Sequence, residues 1–250
     1  MSAAKQNYSI LDKFRFEYQP VGVKFLLNRP EGLPRTAKQL PICRLFGEAQ
    51  TSPPFYADKD TFTCVDRLVL GMVAPEPTME SGQIGAKERI YQEARANRRI
   101  YHHIQKFAPD TVRYVAFSSV DKLSFAPDLL ILTAAPSQAE ILLRALSYST
   151  GKPLTSKITP VLMCAWLFAY PYLSGELNYT VTGIGYGFRM QKILPEGLFV
   201  ISVPFDLIPM LLDNLREMEW VLPMTALGEA ERGEFAARIM EEIQQEYRNG

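Results

Sequence analysis

Apolar positions along this chain change period several times, and each change marks an element. The run PVGVKFLL at 20–27 is rich in β-forming residues and ends at Asn28, Arg29 and Pro30, which predicts a strand. Residues 33–50 can hold a short helix carrying Cys43 before the breaker Ser52-Pro53-Pro54. Over 62–72, Val65, Leu68, Val69 and Met72 recur at helical spacing, with Cys64 near the start. Pro75, Pro77, Gly82 and Gly85 then mark a loop.

The segment 86–107 predicts one long helix, with Ile90, Ala94, Asn97, Ile100, Tyr101, Ile104 and Phe107 along one face and arginines on the other. Two strands are expected at 112–118 and 128–133, followed by a helix capped by Ser137 and ended by Gly151. Residues 158–173 form the most apolar stretch. It is shorter than the ~20 residues that span a bilayer and is interrupted by Pro160 and Pro171, so it reads as a buried helix around Cys164. Strands at 177–193 and 198–203 and a helix at 207–220 follow.

Near the carboxy terminus Phe235, Ile239, Met240, Ile243 and Tyr247 form an amphipathic stripe, suited to packing on the body or to joining a second copy in a homo-oligomer. Helices of varied length interspersed with strands suggest an α+β fold, a single globular domain with a mixed or antiparallel sheet covered by helices. The expected divisions are a lead-in at 1–19, a domain at 20–220, and a linker with an amphipathic helix at 221–250.

A chain of 250 residues with 47% apolar residues can build an ordinary core without disulfides or a structural metal. Its 27 basic residues balance 27 acidic ones, so no global field recruits nucleic acid or acidic lipid. The amino-terminal residues lack the apolar core of a signal peptide, and three cysteines cannot close a disulfide framework, so a reducing cytoplasm is the expected setting.

The remaining chemistry concentrates on thiols, because the chain has only two histidines, His102 and His103, side by side on a charged segment. Cys43, Cys64 and Cys164 lie far apart, with no CxxC pair and no recognised ligand spacing. Thiolates favour iron–sulfur clusters, zinc or copper(I). Against that stands ordinary burial, since free cysteine behaves as a small hydrophobe. A third reading makes Cys43 or Cys64 a nucleophile, lowered in pKa by a helix start or by Arg44 or Arg67. In TGIGYGFR at 182–189 the glycines alternate, which in a strand would bare one face to a flat ligand or to a packed helix. Lys24, Tyr186 and Arg189 are the candidate contacts to a small anionic substrate.

Four segments, PVGVKFL at 20–26, ICRLFGEA at 42–49, CVDRLVLGM at 64–72 and APDLLILTAAPSQAEILLRALSY at 126–148, resemble the family called domain of unknown function 169, or ArCR. Its members carry a cysteine in the helix that follows, here Cys164, and then a glycine-containing strand ending in arginine, here at 185–189. The resemblance covers about 20–220 and aligns all three cysteines with recurring family cysteines. It implies a thiol site in a family widespread in archaea and anaerobic bacteria, and it implies no activity. Val65, Asp66 and Arg67 depart from the prolines and small residues of many relatives, and Ile184 and Tyr186 replace a cysteine or asparagine found in some.

The resulting expectation is an iron–sulfur protein using Cys43, Cys64 and Cys164. The alternative is a metal-free protein binding a small molecule in an apolar pocket around Trp166, Tyr170 and Tyr186.

Overall fold

The structure is a computed structural model and describes residues 6–249. Its strands are β1 (Val21–Leu26), β2 (Phe55–Asp58), β3 (Tyr114–Ser119), β4 (Leu129–Ala134), β5 (Asn178–Val181) and β6 (Phe199–Pro204). Among the described residues these form one sheet in the order β2-β3-β1-β4-β6-β5. Every pairing is antiparallel, so the fold is α+β with an antiparallel sheet. The helices are α1 (Ile42–Ala49), α2 (Asp66–Val69), α3 (Pro77–Glu80), α4 (Gln83–Lys87), α5 (Ala94–His103), α6 (Pro136–Tyr148), α7 (Tyr170–Ser174), α8 (Tyr186–Met190), α9 (Ile208–Glu217), α10 (Pro223–Ala226) and α11 (Glu229–Asn249). A π-helical turn, Ala165–Ala169, leads into α7.

Helices cover both faces of the sheet. Alternation along β1 sends Val21, Val23 and Phe25 to one face, where they join Leu45 and Phe46 of α1, Ile100 of α5 and Phe168 of the π turn. Cys43 and Cys164 pack against this larger cluster. Central strand β4 is buried on both sides, with Leu129 and Ile131 toward the cysteine face and Leu130 and Leu132 away from it. The opposite face is closed by α6, α9 and a 3-10 turn, Ser9–Phe14. Ile10, Leu11, Phe14 and Phe16 are buried there, so the described part of the expected lead-in at 1–19 packs into the body.

Sheet order explains the glycine in VGVK. Strands β3 and β4 follow one another in sequence but lie on either side of β1, so their connection crosses one face of β1. A Cβ on Gly22 would stand 2.7 Å from Leu123 Cδ1 and 3.1 Å from Pro127 Cβ. The crossover therefore lies directly on the bare backbone of Gly22. Lys24, on the same face, donates to the carbonyl of Ala126 at 2.8 Å and fastens the connection.

The expected strands at 20–27, 112–118, 128–133 and 198–203 form within a residue or two of those bounds. Strand β2 carries no visible signal, because its four residues follow a double proline and three of them are buried. The expected helix at 86–107 is broken. Arg89 turns left-handed at φ 57°, and Asn97 donates to the carbonyl of Gly82 at 3.2 Å, so α4 folds back onto α5. Of the helix expected over 62–72 only the single turn α2 forms, and that over 33–50 is confined to α1. Helix α6 is capped two residues before Ser137, at Ala135: Pro136 occupies its first position, and the Gln138 side chain accepts from the Ala135 N–H at 2.8 Å.

The glycine segment is also not a strand. After β5 the chain turns through a 3-10 stretch, Thr182–Ile184, into α8. The Thr182 hydroxyl donates to Pro195 O at 2.6 Å and pins that turn. Gly185 serves close packing, since a Cβ there would stand 3.0 Å from Met163.

Replacing Gly22 by valine should lower stability by about 1–3 kcal/mol. The shift in urea midpoint at unchanged m-value measures it.

Candidate functional site

Each cysteine stands at the start of a helical segment on the same face of the sheet. Pro41, in an extended conformation, precedes α1, so Cys43 is the second residue of that helix. Cys64 lies two residues before α2, and Cys164 immediately precedes the π turn. Backbone N–H groups at each helix start favour the thiolate: those of residues 43 and 44 at Cys43, of 65 and 66 at Cys64, and of 165 at Cys164. The three thiols lie within electrostatic reach of one another, for Cys164 feels the charges of both Cys64 and Cys43.

Asp66 joins two of these starts. Its carboxylate is 1% exposed. Oδ2 accepts from Ile42 N–H of α1 at 2.6 Å, and Oδ1 accepts from Arg67 N–H at 2.9 Å and Cys64 N–H at 3.3 Å. Ile42 precedes Cys43 in the chain, so one carboxylate fixes the backbone beside both thiols. Burial raises Asp66 to about 6, against the pull of these N–H donors and of Arg67.

The third start is held by unusual backbone. Leu162 adopts a left-handed conformation at φ 61°, which costs a β-carbon-bearing residue about 1–2 kcal/mol. The π turn that follows disrupts the regular hydrogen-bond ladder. Asn178 of β5, fully buried, repairs it by donating to Trp166 O at 2.7 Å and Lys157 O at 2.9 Å. Strain and a π turn flanking one cysteine are features that recur at functional sites.

Electrostatics oppose the thiolates as the side chains stand. Burial, then the charge of Asp66, pushes Cys43 up to about 12 and also raises Cys64. The same causes, in the same order, raise Cys164 well above the ordinary thiol range. Cys64 alone of the three is exposed. Among the described residues no three His, Cys, Asp or Glu side chains stand in a metal-coordinating arrangement.

Two further residues reach this cluster. Burial and then the charge of Cys164, Glu80 and Cys64 raise the Tyr101 phenol of α5. Arg67 carries a buried Nε with no hydrogen-bond partner, and its charge acts on both Asp66 and Cys64. An exposed Cys64 and an orphaned cationic donor give the thiols an approach from solvent and a group to meet an anion.

The other sequence candidates are engaged in contacts of their own. Lys24 is on the opposite sheet face, bonded to Ala126 O, with its Nζ 3.8 Å from Asp128 Oδ1. Arg189 of α8 is exposed and paired with Glu196 at 2.9 Å. Tyr186, also on α8, has its phenol raised chiefly by a hydrogen bond with Glu88. Trp166 and Tyr170 are buried core, and the indole donates to Thr159 Oγ1 at 2.6 Å. His102 and His103 are exposed. Beside the crossover on the opposite face, a cavity of about 1110 Å³ is lined by Tyr8, Asp12, Arg15, Gln19, Phe125 and Phe205, among others.

Sequence reasoning passed over Asp66 and Tyr101. A single acid two residues after a cysteine carries no motif, and Tyr101 lies on a helix 37 residues beyond Cys64 in the chain.

In the native protein, iodoacetamide should modify Cys64 first and the half-buried Cys43 and Cys164 more slowly; peptide mass mapping over time gives the order. Asp66→Ala orphans the Ile42 and Cys64 N–H donors, while Arg67 N–H keeps the Cys64 carbonyl at 3.4 Å, and should cost about 3 kcal/mol in urea unfolding, with Asp66→Asn costing less because it keeps an acceptor.

No curated protein matches the sequence, and no solved structure matches it. A family model described as uncharacterised ArCR, domain of unknown function 169, matches residues 9–214 and so takes in all three cysteines, Asp66, Arg67 and Tyr101. No helix among the described residues is long and apolar enough to cross a membrane. With that match over most of its length, the chain belongs to the DUF169 (ArCR) family.

Proposed function

We propose that Cys43, Cys64 and Cys164 bind an iron–sulfur cluster and that the protein uses it on a small anionic molecule. The carrying observation is that three sequence-distant thiols stand at three helix starts on one face of the sheet, within electrostatic reach of one another and each supplied with backbone N–H donors. The donor chemistry fits. Three soft sulfurs suit such a cluster, and N–H groups directed at ligand sulfurs are one of the means by which proteins tune it. Three thiols and a buried carboxyl act on one another's charge with Arg67 as the cation acting on Asp66 and Cys64, an arrangement relieved by a positively charged occupant.

A cluster bound by three thiolates supplies electron transfer, or an iron site open to a ligand. The protein's own part is positional. Asp66 holds the backbone beside Cys43 and Cys64, and Asn178 supports the turn after Cys164. Arg67 Nε, unpartnered, and the Tyr101 phenol, within electrostatic reach of Cys64 and Cys164, are the donors for an anionic substrate. In this reading the protein works in the cytoplasm on a small molecule, without nucleic acid.

A second reading has a specific observation in its favour. Cys43 and Cys164 pack against the main core, and burial holds both thiols toward the protonated form, as expected of metal-free structural cysteines.

Anaerobic purification and reconstitution with iron and sulfide separate the two. The expected result is a coloured protein with stoichiometric iron and sulfide, whose charge-transfer absorbance falls severalfold in each of Cys43→Ser, Cys64→Ser and Cys164→Ser. A colourless, folded, iron-free product would overturn the cluster and leave the metal-free reading; zinc in its place, lost in the same variants, would keep the thiolate site and change its chemistry.

A further inference from the structure

Helix α11 is 21 residues long, about 31 Å at 1.5 Å per residue. None of its described side chains is buried, and Phe235 alone is half-buried, so the body gives it no packing surface. An isolated helix of that length is marginal in water, because most helical stability in proteins comes from a packed face.

Its apolar residues are gathered. Phe235, Ala236, Ile239, Met240, Ile243 and Tyr247 share one side at 3.6 residues per turn. Ile239, Met240, Ile243 and Tyr247 are 37%, 55%, 41% and 88% exposed. Besides Glu229 at the helix start, Arg232 and Glu246 share that side, standing two helical turns before and after Ile239. Arg232 reaches only its own Gly228 carbonyl, at 3.5 Å, and neither residue is in an ion pair among the described residues.

We propose that two copies of this chain associate through α11, face to face and antiparallel, about Ile239. The charge pattern selects the partner and its direction. Antiparallel docking sets Arg232 of one copy beside Glu246 of the other at both ends of the apolar stripe. Parallel docking would stack arginine on arginine and glutamate on glutamate, which is unfavourable. Counting outward from Ile239, Glu241 and Glu242 fall opposite Ala237 and Ala236, and Glu234 falls opposite Gln244, so this register opposes no like charges.

On the approach to the helix Val221, Leu222 and Met224 are also exposed, at 67%, 45% and 38%. A helix pair of this size lies at the small end of stable interfaces, so association is expected to depend on concentration. Helix α11 lies beyond residues 9–214, which the family model matches.

Sedimentation velocity on the full chain across the micromolar range tests the proposal. The expected result is a monomer–dimer equilibrium that Ile239→Ser with Ile243→Ser abolishes, while the near-ultraviolet spectrum of the body stays unchanged. Arg232→Glu alone and Glu246→Arg alone should each weaken association about tenfold, because symmetry spoils two pairs at once. Arg232→Glu with Glu246→Arg together should restore it to within about threefold. A monomer at every concentration would overturn the proposal and assign the stripe to a different partner. Association that survives the serine variants, or that the double charge exchange fails to restore, would overturn it as well.

Discussion

One buried carboxylate ties the cysteine face together. Asp66 accepts from Ile42 of α1 and from the backbone of its own turn, so two segments more than twenty residues apart share a single acceptor. Ordinary helix capping is local, with a side chain answering N–H groups two or three residues ahead. Here one group caps its own short turn and the first residue of another helix. The arrangement fixes the backbone next to two thiols, and it also leaves an acid where burial disfavours its charge. The same acid disfavours the thiolates around it. Position and charge therefore pull in opposite directions, and a cationic occupant reconciles them.

The third thiol depends on tertiary support of a different kind. A left-handed leucine and a π turn are both unfavourable in an isolated peptide. They persist because Asn178 reaches from β5 to the orphaned Trp166 carbonyl, and because Gly185 lets the following segment lie against Met163. The strands thus act as a rigid floor from which side chains correct the irregular helix above. Central strand β4, buried on both faces, supplies the stiffness of that floor. On the far side the β3–β4 crossover lies on Gly22, with Lys24 spent on holding it and not on a ligand.

Sequence and structure agree where burial patterns are local. The apolar runs of β1, β3, β4 and β6 announce themselves because central strands are apolar nearly throughout, and the stripe of α11 is legible because a helix face repeats every turn. The family motifs likewise single out Cys43, Cys64 and Cys164. Failures cluster where a distant partner overrides the local pattern. Residues 86–93 have helical spacing, yet α4 folds back through Arg89 to meet Asn97. The alternating glycines suggest a strand, yet Thr182 turns the chain and Gly185 is used for packing.

Composition, the order of the motifs and hydrophobic period were enough to determine an α+β domain, its main strands, the thiol residues and an amphipathic carboxy-terminal helix. Only the tertiary structure decided that the three cysteines share one face, that Asp66 bridges two of their backbones, and that Lys24 and Arg189 are engaged elsewhere. It also decided that α11 leaves the body with its apolar side uncovered. The physical reason is range. Period and propensity are properties of neighbouring residues, whereas a shared acceptor, a crossover on a bare glycine and the mutual repulsion of buried acids arise between residues that meet only when the sheet has formed.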